Sequence, residues 1–207
     1  MEGMLNDLAI GADTSRSFEE YIRSNEEARQ SLGRMEFSVQ VLTSGHWPTY
    51  KAIELHLPPV MMRCTQLFRQ FHDTNSTSHK RLQWTHSLGT ASVKGTFGKR
   101  SYDIQVSTLQ AIALLAFNVG AEGSSSGTSS AGGSGPRSFA SLLDALGMPE
   151  EPLKRVMHSL SCGKYKVLKK ISAAASEGGG GDGEKEKSGG SGQIKATDSF
   201  LFNEQFR

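Results

Sequence analysis

Cysteine is scarce in this 207-residue sequence, and neither sign of charge is in excess. The two cysteines, Cys64 and Cys162, are too few for the disulfide framework of a small secreted domain, and each takes an apolar position in a predicted helix. We therefore expect buried free thiols and a location in the cytoplasm and nucleus. Lys and Arg number 23 against 21 Asp and Glu, so the net charge of +2 argues against an electrostatic binder of nucleic acid.

Long hydrophobic runs are also lacking. A membrane-spanning helix needs about 20 apolar residues, whereas the longest run here, residues 109–117, contains Gln110 and is typical of a buried helix. Residues 1–10 include Glu2 and Asp7 and lack the basic start and apolar centre of a secretory signal. We expect neither a signal peptide nor a membrane partner.

Motifs for catalysis, metal binding and phosphate binding are missing too. The six histidines include no pair at His-x-x-x-His spacing, and the cysteines form no Cys-x-x-Cys motif. No Gly-x-x-x-x-Gly-Lys-Ser/Thr loop occurs. The sequence therefore favours a binding protein over an enzyme, with no catalytic residues, no cofactor and no metal.

The first 33 residues have a helical pattern. Ser17-Phe18-Glu19-Glu20 fits a capping box, which predicts a helix beginning at Ser17. A single helix of this length buries little apolar surface by itself. We interpret residues 1–33 as a short helical remnant of a preceding bundle.

Residues 34–106 alternate between apolar and polar residues in a way that predicts a mainly antiparallel sheet. The predicted strands are Phe37–Leu42, Leu82–Leu88, Ala91–Phe97 and Tyr102–Val106, and a helix from Val60 to Phe71 is inserted among them. A sheet with free edges can accept an added strand from a partner. Trp47 and Trp84 lie in or beside this sheet, either as core residues or as walls of a pocket for a partner's side chain.

Residues 107–206 are typical of a winged helix, which has three helices followed by a two-stranded hairpin. Ser107-Thr108-Leu109-Gln110 fits a capping box, Ser138 is a candidate N-cap, and Gly147 is a natural helix end. Two Gly- and Ser-rich stretches, residues 120–136 and 174–193, are predicted to be solvated loops. The predicted fold class is α+β: a helical remnant, a sheet domain and a winged-helix module.

A winged helix leaves DNA binding open as an alternative function. The basic residues available for it are Lys154, Arg155, His158, Lys164, Lys166, Lys169 and Lys170. Glu150 and Glu151 oppose them at the start of the helix that contains Lys154, and a solvated helix face explains the pattern equally well. Nucleic acid is therefore the less favoured partner.

Several segments together carry a family resemblance, because they follow one another in the family's order. They are FSVQVLTSGHWPTY at 37–50, RLQW at 81–84, QVSTLQ at 105–110, SLSCGKY at 159–165 and FNEQF at 202–206. On these residues the chain resembles a cullin, the scaffold of multisubunit RING ubiquitin ligases. The helical repeats that hold a cullin's adaptor, and the C-terminal winged helix with its modified lysine, have no counterpart in these 207 residues.

The resemblance implies a partner and a mode of binding. In cullins this region holds the RING-box zinc protein, which adds an N-terminal strand to the cullin sheet, and the rest of the ligase assembles around that pair. The implied contacts are Phe37, Val39, Val41, Trp47, Leu82, Trp84, His86 and Leu88. The expected function is therefore non-catalytic scaffolding in ubiquitin-dependent protein catabolism.

Overall fold

A computed structural model describes residues 2–33, 35–75, 81–118, 135–172, 193–203 and 205–206. The two Gly- and Ser-rich stretches lie outside this range, except for residues 135, 136 and 193. The chain forms two compact units that differ from the segments drawn from the sequence. The first unit is Met1–Ala52 with Leu57–Thr85, and the second is Ile53–His56 with His86–Arg207.

The described residues of the first unit form three helices: α1 (Glu2–Ser24), α2 (Glu26–Leu32) and α3 (Pro59–Asn75). The predicted helix start at Ser17 is wrong, because α1 already begins at Glu2 and Ser17 lies inside it. Tertiary contacts explain the longer helix, since Asp7 and Gly11 are buried on the same side of α1. The inserted helix predicted from Val60 to Phe71 is confirmed by α3.

An aromatic cluster forms the core of the first unit. The Phe18 ring is 1% exposed and lies 5.0 Å from Phe68 and 5.2 Å from Phe71, centroid to centroid. Ala28 and Leu32 of α2 complete the buried set. These contacts join all three helices, which individually are too short or too polar to be stable alone.

Two predicted strands of this region are wrong. Phe37–Leu42 is not assigned to a strand, Leu82–Thr85 is likewise irregular, and His86–Leu88 forms a single 3-10 turn. The alternation has another cause: Phe37, Val39 and Val41 are half-buried against the aromatic core while the residues between them are exposed. The alternation of residues 37–42 therefore arises from an extended chain that packs on a helical surface. No strand pairs with this chain among the described residues.

The second unit opens with a hairpin of β1 (Thr90–Phe97) and β2 (Arg100–Ser107). Thr90 pairs with Ser107 and Phe97 with Arg100, and Gly98 supplies a φ of 59° in the two-residue turn. The strands predicted at Ala91–Phe97 and Tyr102–Val106 are confirmed. The predicted four-stranded sheet is reduced to this hairpin among the described residues.

The remainder of the second unit has the predicted winged-helix order. Its helices are α4 (Thr108–Ala116), α5 (Phe139–Leu146) and α6 (Glu150–Ser161). Its strands are β3 (Arg137–Ser138), β4 (Leu168–Ile171) and β5 (Ser199–Phe202), arranged β3-β5-β4. The predicted caps at Ser107, Ser138 and Gly147 are all present. The α+β fold class is confirmed.

Candidate functional site

The eight residues predicted to bind a partner are divided between the two units. Five of them pack partly buried against the core of the first unit: Phe37, Val39, Val41, Leu82 and Trp84. Trp47 belongs to the same unit, whereas His86 and Leu88 lie in the 3-10 turn of the second unit. The structure therefore gathers six of the eight residues on one helical scaffold rather than on a sheet.

A buried carboxylate on α1 holds the chain around Trp47. Asp7 is 6% exposed, and its Oδ2 accepts hydrogen bonds from the Thr43 backbone N–H at 2.7 Å and from the Trp47 Nε1 at 2.6 Å. Its Oδ1 accepts from the Thr43 Oγ1 at 2.6 Å. Such bonds to an ionised acceptor are stronger than neutral ones. Asp7 therefore fixes both the backbone of Thr43 and the side chain of Trp47.

These hydrogen bonds also set the charge of Asp7. The Thr43 hydroxyl and backbone N–H lower the pKa of the Asp7 carboxyl, the Trp47 indole and the nearby His46 act in the same direction, and burial opposes them. The net shift is downward, so Asp7 is ionised at neutral pH. An ionised acceptor suits a site that offers only donors.

Further contacts extend along the same face of α1. The Ser15 Oγ donates to the Val39 carbonyl oxygen at 2.5 Å. At Gly11 a Cβ would lie 2.8 Å from the Val41 carbonyl oxygen, so only glycine allows this approach. At Gly3 a Cβ would lie 3.1 Å from the His46 ring. Residues at every fourth position of α1 thus contact residues 39–46.

The spacing of these contacts follows from backbone geometry. Four helical residues advance about 6 Å, and two extended residues advance about 6.6 Å. Asp7, Gly11 and Ser15 therefore meet Thr43, Val41 and Val39 in step, with the two chains antiparallel. We call residues 36–43 the docked segment.

Sequence reasoning missed Asp7, Gly11 and Ser15 as functional residues. Asp7 entered the sequence analysis only as a charge that argues against a signal peptide. The available signal was the run of small or polar residues at spacing four along α1, with Gly3 as its first member. Their partners lie 24 to 40 residues along the chain, so local patterns do not reveal the pairing.

The docked segment leaves backbone groups open. Within the described part of the chain, none of residues 36–42 makes a backbone-to-backbone hydrogen bond. The side chains of Ser38, Gln40 and Leu42 are exposed, and the Gln40 side-chain amide lies against Gly11 of α1. An extended chain with unused donors and acceptors is a template for an added strand.

The basic residues considered for DNA binding have acidic neighbours in the structure. The Lys154 Nζ lies 2.7 Å from the Glu150 Oε1 and 3.8 Å from the Glu151 Oε1, and the hydrogen bond to Glu150 is the main reason why the pKa of Lys154 is raised. The Lys170 Nζ lies 3.4 Å from Asp198, which is 1% exposed. Two of the candidate phosphate-binding lysines therefore already have carboxylate partners.

The described residues contain no group of three or more His, Cys, Asp or Glu side chains placed to hold a metal ion. None of their helices combines the length and the apolar character that crossing a membrane requires.

Comparisons with known proteins agree on one family. Residues 41–206 match the family model of the Cullin alpha+beta domain. The chain is 35% identical over 170 residues to Cullin-1 of Oryza sativa subsp. japonica. The aligned region covers 82% of this chain and 20% of that protein. Over 206 residues it is 35% identical to Cullin-2 of Arabidopsis thaliana, covering 100% of this chain and 23% of the relative.

A human relative gives the same result. Cullin-4A of Homo sapiens is 30% identical over 207 residues, which is 100% of this chain and 22% of that protein. The chain thus spans about a fifth of the length of the curated relatives it matches. The domain match includes the last three residues of the docked segment, 41–43, and extends through the winged-helix module to residue 206. Because this match covers more than half of the chain, the chain belongs to the cullin family.

Proposed function

We propose that this chain is a scaffold component of a multisubunit RING ubiquitin ligase. Its role is to hold a RING-box zinc protein within such an assembly and so to serve ubiquitin-dependent protein degradation. The chain contributes a binding surface and no catalytic group. Family membership supports the ligase assignment, and the open backbone of the docked segment supports strand addition as the way the partner binds.

The open backbone of the docked segment is the observation that carries this proposal. Phe37, Val39 and Val41 turn their side chains toward the helical core, so a partner meets the main chain and the outward residues rather than these three side chains. The β1–β2 hairpin offers a second template, because its two strands pair only with each other among the described residues. Leu88, 52% exposed, is an apolar contact available in the same unit as the hairpin.

We expect strand addition to give a complex that survives purification. Each backbone hydrogen bond contributes about 0.5–1.5 kcal/mol net. Burial of the partner's own apolar side chains adds about 25 cal/mol for each Å² removed from water. Several bonds together with that burial outweigh the loss of freedom of a short strand.

Co-expression with an intact RING-box zinc protein tests the proposal. We expect the two chains to co-purify, and the partner to increase the soluble yield because it covers open backbone. The comparison is the same partner without its N-terminal strand but with its zinc-bound RING. Equal binding by the truncated partner contradicts strand addition, and no complex with the intact partner contradicts the scaffold function itself.

A matched pair of variants tests the docked segment directly. Ser38→Pro removes one outward backbone donor, and the extended chain tolerates the ring because the Ser38 amide makes no backbone hydrogen bond among the described residues. We expect unchanged thermal stability and weaker partner binding. Ser38→Ala keeps the amide and should bind like the wild type. Equal binding by both variants contradicts a role for this amide.

A further inference from the structure

We propose that Ser24 is phosphorylated by a protein kinase that recognises acidic residues after its target serine, and that the phosphate loosens α2 from the core of the first unit. This inference is independent of the proposed function, because it concerns the junction of α1 and α2 and needs no ligase partner. The reaction transfers the γ-phosphoryl group of ATP to the Ser24 Oγ. ADP is the leaving group, and the hydroxyl proton passes to the catalytic base of the kinase.

The sequence contains the same acidic pattern twice. Ser17-Phe18-Glu19-Glu20 and Ser24-Asn25-Glu26-Glu27 both place glutamates two and three residues after a serine. Kinases select their substrates partly by charge, and a basic substrate groove favours acids at these positions. The first pattern does not act as a helix cap, because Ser17 lies inside α1. Both serines are exposed, so the sequence alone offers two equal candidates.

The structure disfavours Ser17. A kinase active site takes up the target serine and its neighbours as an extended segment. Ser17 is followed by Phe18, which is 1% exposed in the aromatic core, so extending the chain there breaks α1 in its middle and withdraws that ring. An opening that uncovers the core approaches the free energy of global unfolding, whereas helix ends open at little cost.

Ser24 lies where the backbone already leaves the helix. It is the last residue of α1, and the next residue, Asn25, has the extended dihedral angles φ −109° and ψ 111°. The two glutamates that follow are exposed in the first turn of α2, and the first buried residue after them is Ala28. The seven-residue α2 is too short to be stable alone. A kinase therefore needs only the first turn of α2 to open.

A phosphate on Ser24 acts against the end of α1. The Ser24 Oγ donates to the carbonyl oxygens of Glu20 at 2.9 Å and Tyr21 at 3.2 Å, and phosphorylation removes that donor. It also adds between about one and a half and two negative charges. The C-terminal end of a helix already carries a negative partial charge, so the added charge is repelled.

Groups that could compensate for this repulsion are already engaged. The backbone N–H groups of Glu27 and Ala28 donate to the Asn25 Oδ1 at 3.0 and 3.2 Å. Arg23 and Arg29 each pair with a glutamate of their own helix. Since α2 contributes Ala28 and a buried leucine to the core, the weakened junction uncovers that part of the core.

Incubation of the full chain with Mg²⁺, ATP and a purified kinase that requires an acid three residues after the serine tests the site. We expect mass spectrometry to find phosphate on Ser24, complete loss of that phosphate in Ser24→Ala, and no change in the matched control Ser17→Ala. Glu27→Gln should slow the reaction, and Glu20→Gln should not. Absence of phosphate from Ser24, or equally fast modification of Ser17, overturns the assignment.

Amide hydrogen exchange of the phosphorylated and unmodified chains tests the effect on α2. A charge effect at a helix end corresponds to roughly two- to fivefold faster exchange over residues 29–32. The helix α5 of the second unit is the internal reference and should exchange at the same rate in both samples. Unchanged or slower exchange in α2 of the phosphorylated chain overturns the loosening.

Discussion

The aromatic core of the first unit gives the sharpest test of how the docked segment is supported. Phe18 is 1% exposed and packs on Phe68, Phe71 and Phe37, with the Phe37 ring 6.0 Å away in an edge-to-face arrangement. Phe18→Ala removes the one side chain that all of these rings share. Such a truncation costs about 3–5 kcal/mol, against a total stability of about 5–15 kcal/mol for a whole domain.

Tryptophan fluorescence is a selective assay for this change. Both tryptophans of the chain, Trp47 and Trp84, belong to the first unit, so their emission reports that unit and not the second one. With a urea dependence of about 1–3 kcal/mol per molar, the unfolding midpoint should fall by at least about 1 M. Partner binding should weaken as well, because Phe37 loses the ring on which it packs.

The control for Phe18→Ala is a substitution on the same helix, α1. Ile10 is 56% exposed, so Ile10→Ala should change the stability by no more than about 0.5 kcal/mol. If Phe18→Ala leaves the fluorescence midpoint at the wild-type value, Phe18 is not the centre of the core and the support of the docked segment must be sought elsewhere.

Three further outcomes are expected. The pKa of Asp7 is lowered, so its stabilising contribution is present above the ordinary aspartate pKa and is lost as the pH falls through the folded value. The Trp47 indole N–H resonance should follow that step in an NMR titration, and Asp7→Asn should abolish the step. Duplex DNA should bind no more tightly than about 10⁻⁴ M at physiological salt, and a micromolar, sequence-dependent complex that is lost on charge reversal in α6 would support the DNA-binding alternative. Burial raises the pKa of the Cys64 thiol, which is 2% exposed, so a thiol reagent should modify the half-buried Cys162 first, and equally fast modification of both in the folded chain would contradict that burial.

Local signals in the sequence predicted the winged helix well. The Ser107 capping box works through a residue three positions away, and Gly147 adopts a left-handed φ of 58° at the C-terminal end of α5. These interactions are complete within one turn of the chain. The resemblance to cullins was likewise confirmed, because it depended on residue order rather than on contacts.

The docked segment could not be predicted in the same way. The alternation of Phe37, Val39 and Val41 shows which side chains are buried, but it is the same whether the neighbour is a strand or a helix. The capping-box sequence at Ser17 does not begin the helix, because the tertiary contacts of Asp7 and Gly11 stabilise the turns that precede it. Asp7 itself needs donors 36 and 40 residues away, and no local pattern contains that information.

The matched advance of α1 and the docked segment limits which deletions the first unit can tolerate. Removing four residues from α1 between Asp7 and Ser15 rotates the remainder of the helix by only about 40° beyond a full turn. Removing two residues between Val39 and Thr43 then shortens the docked segment by a matching distance. Shortening either chain by one residue instead turns its contact groups away. Paired deletions in the ratio of four to two should therefore preserve the docking, and single deletions should destroy it, so length in this region can change only in linked steps.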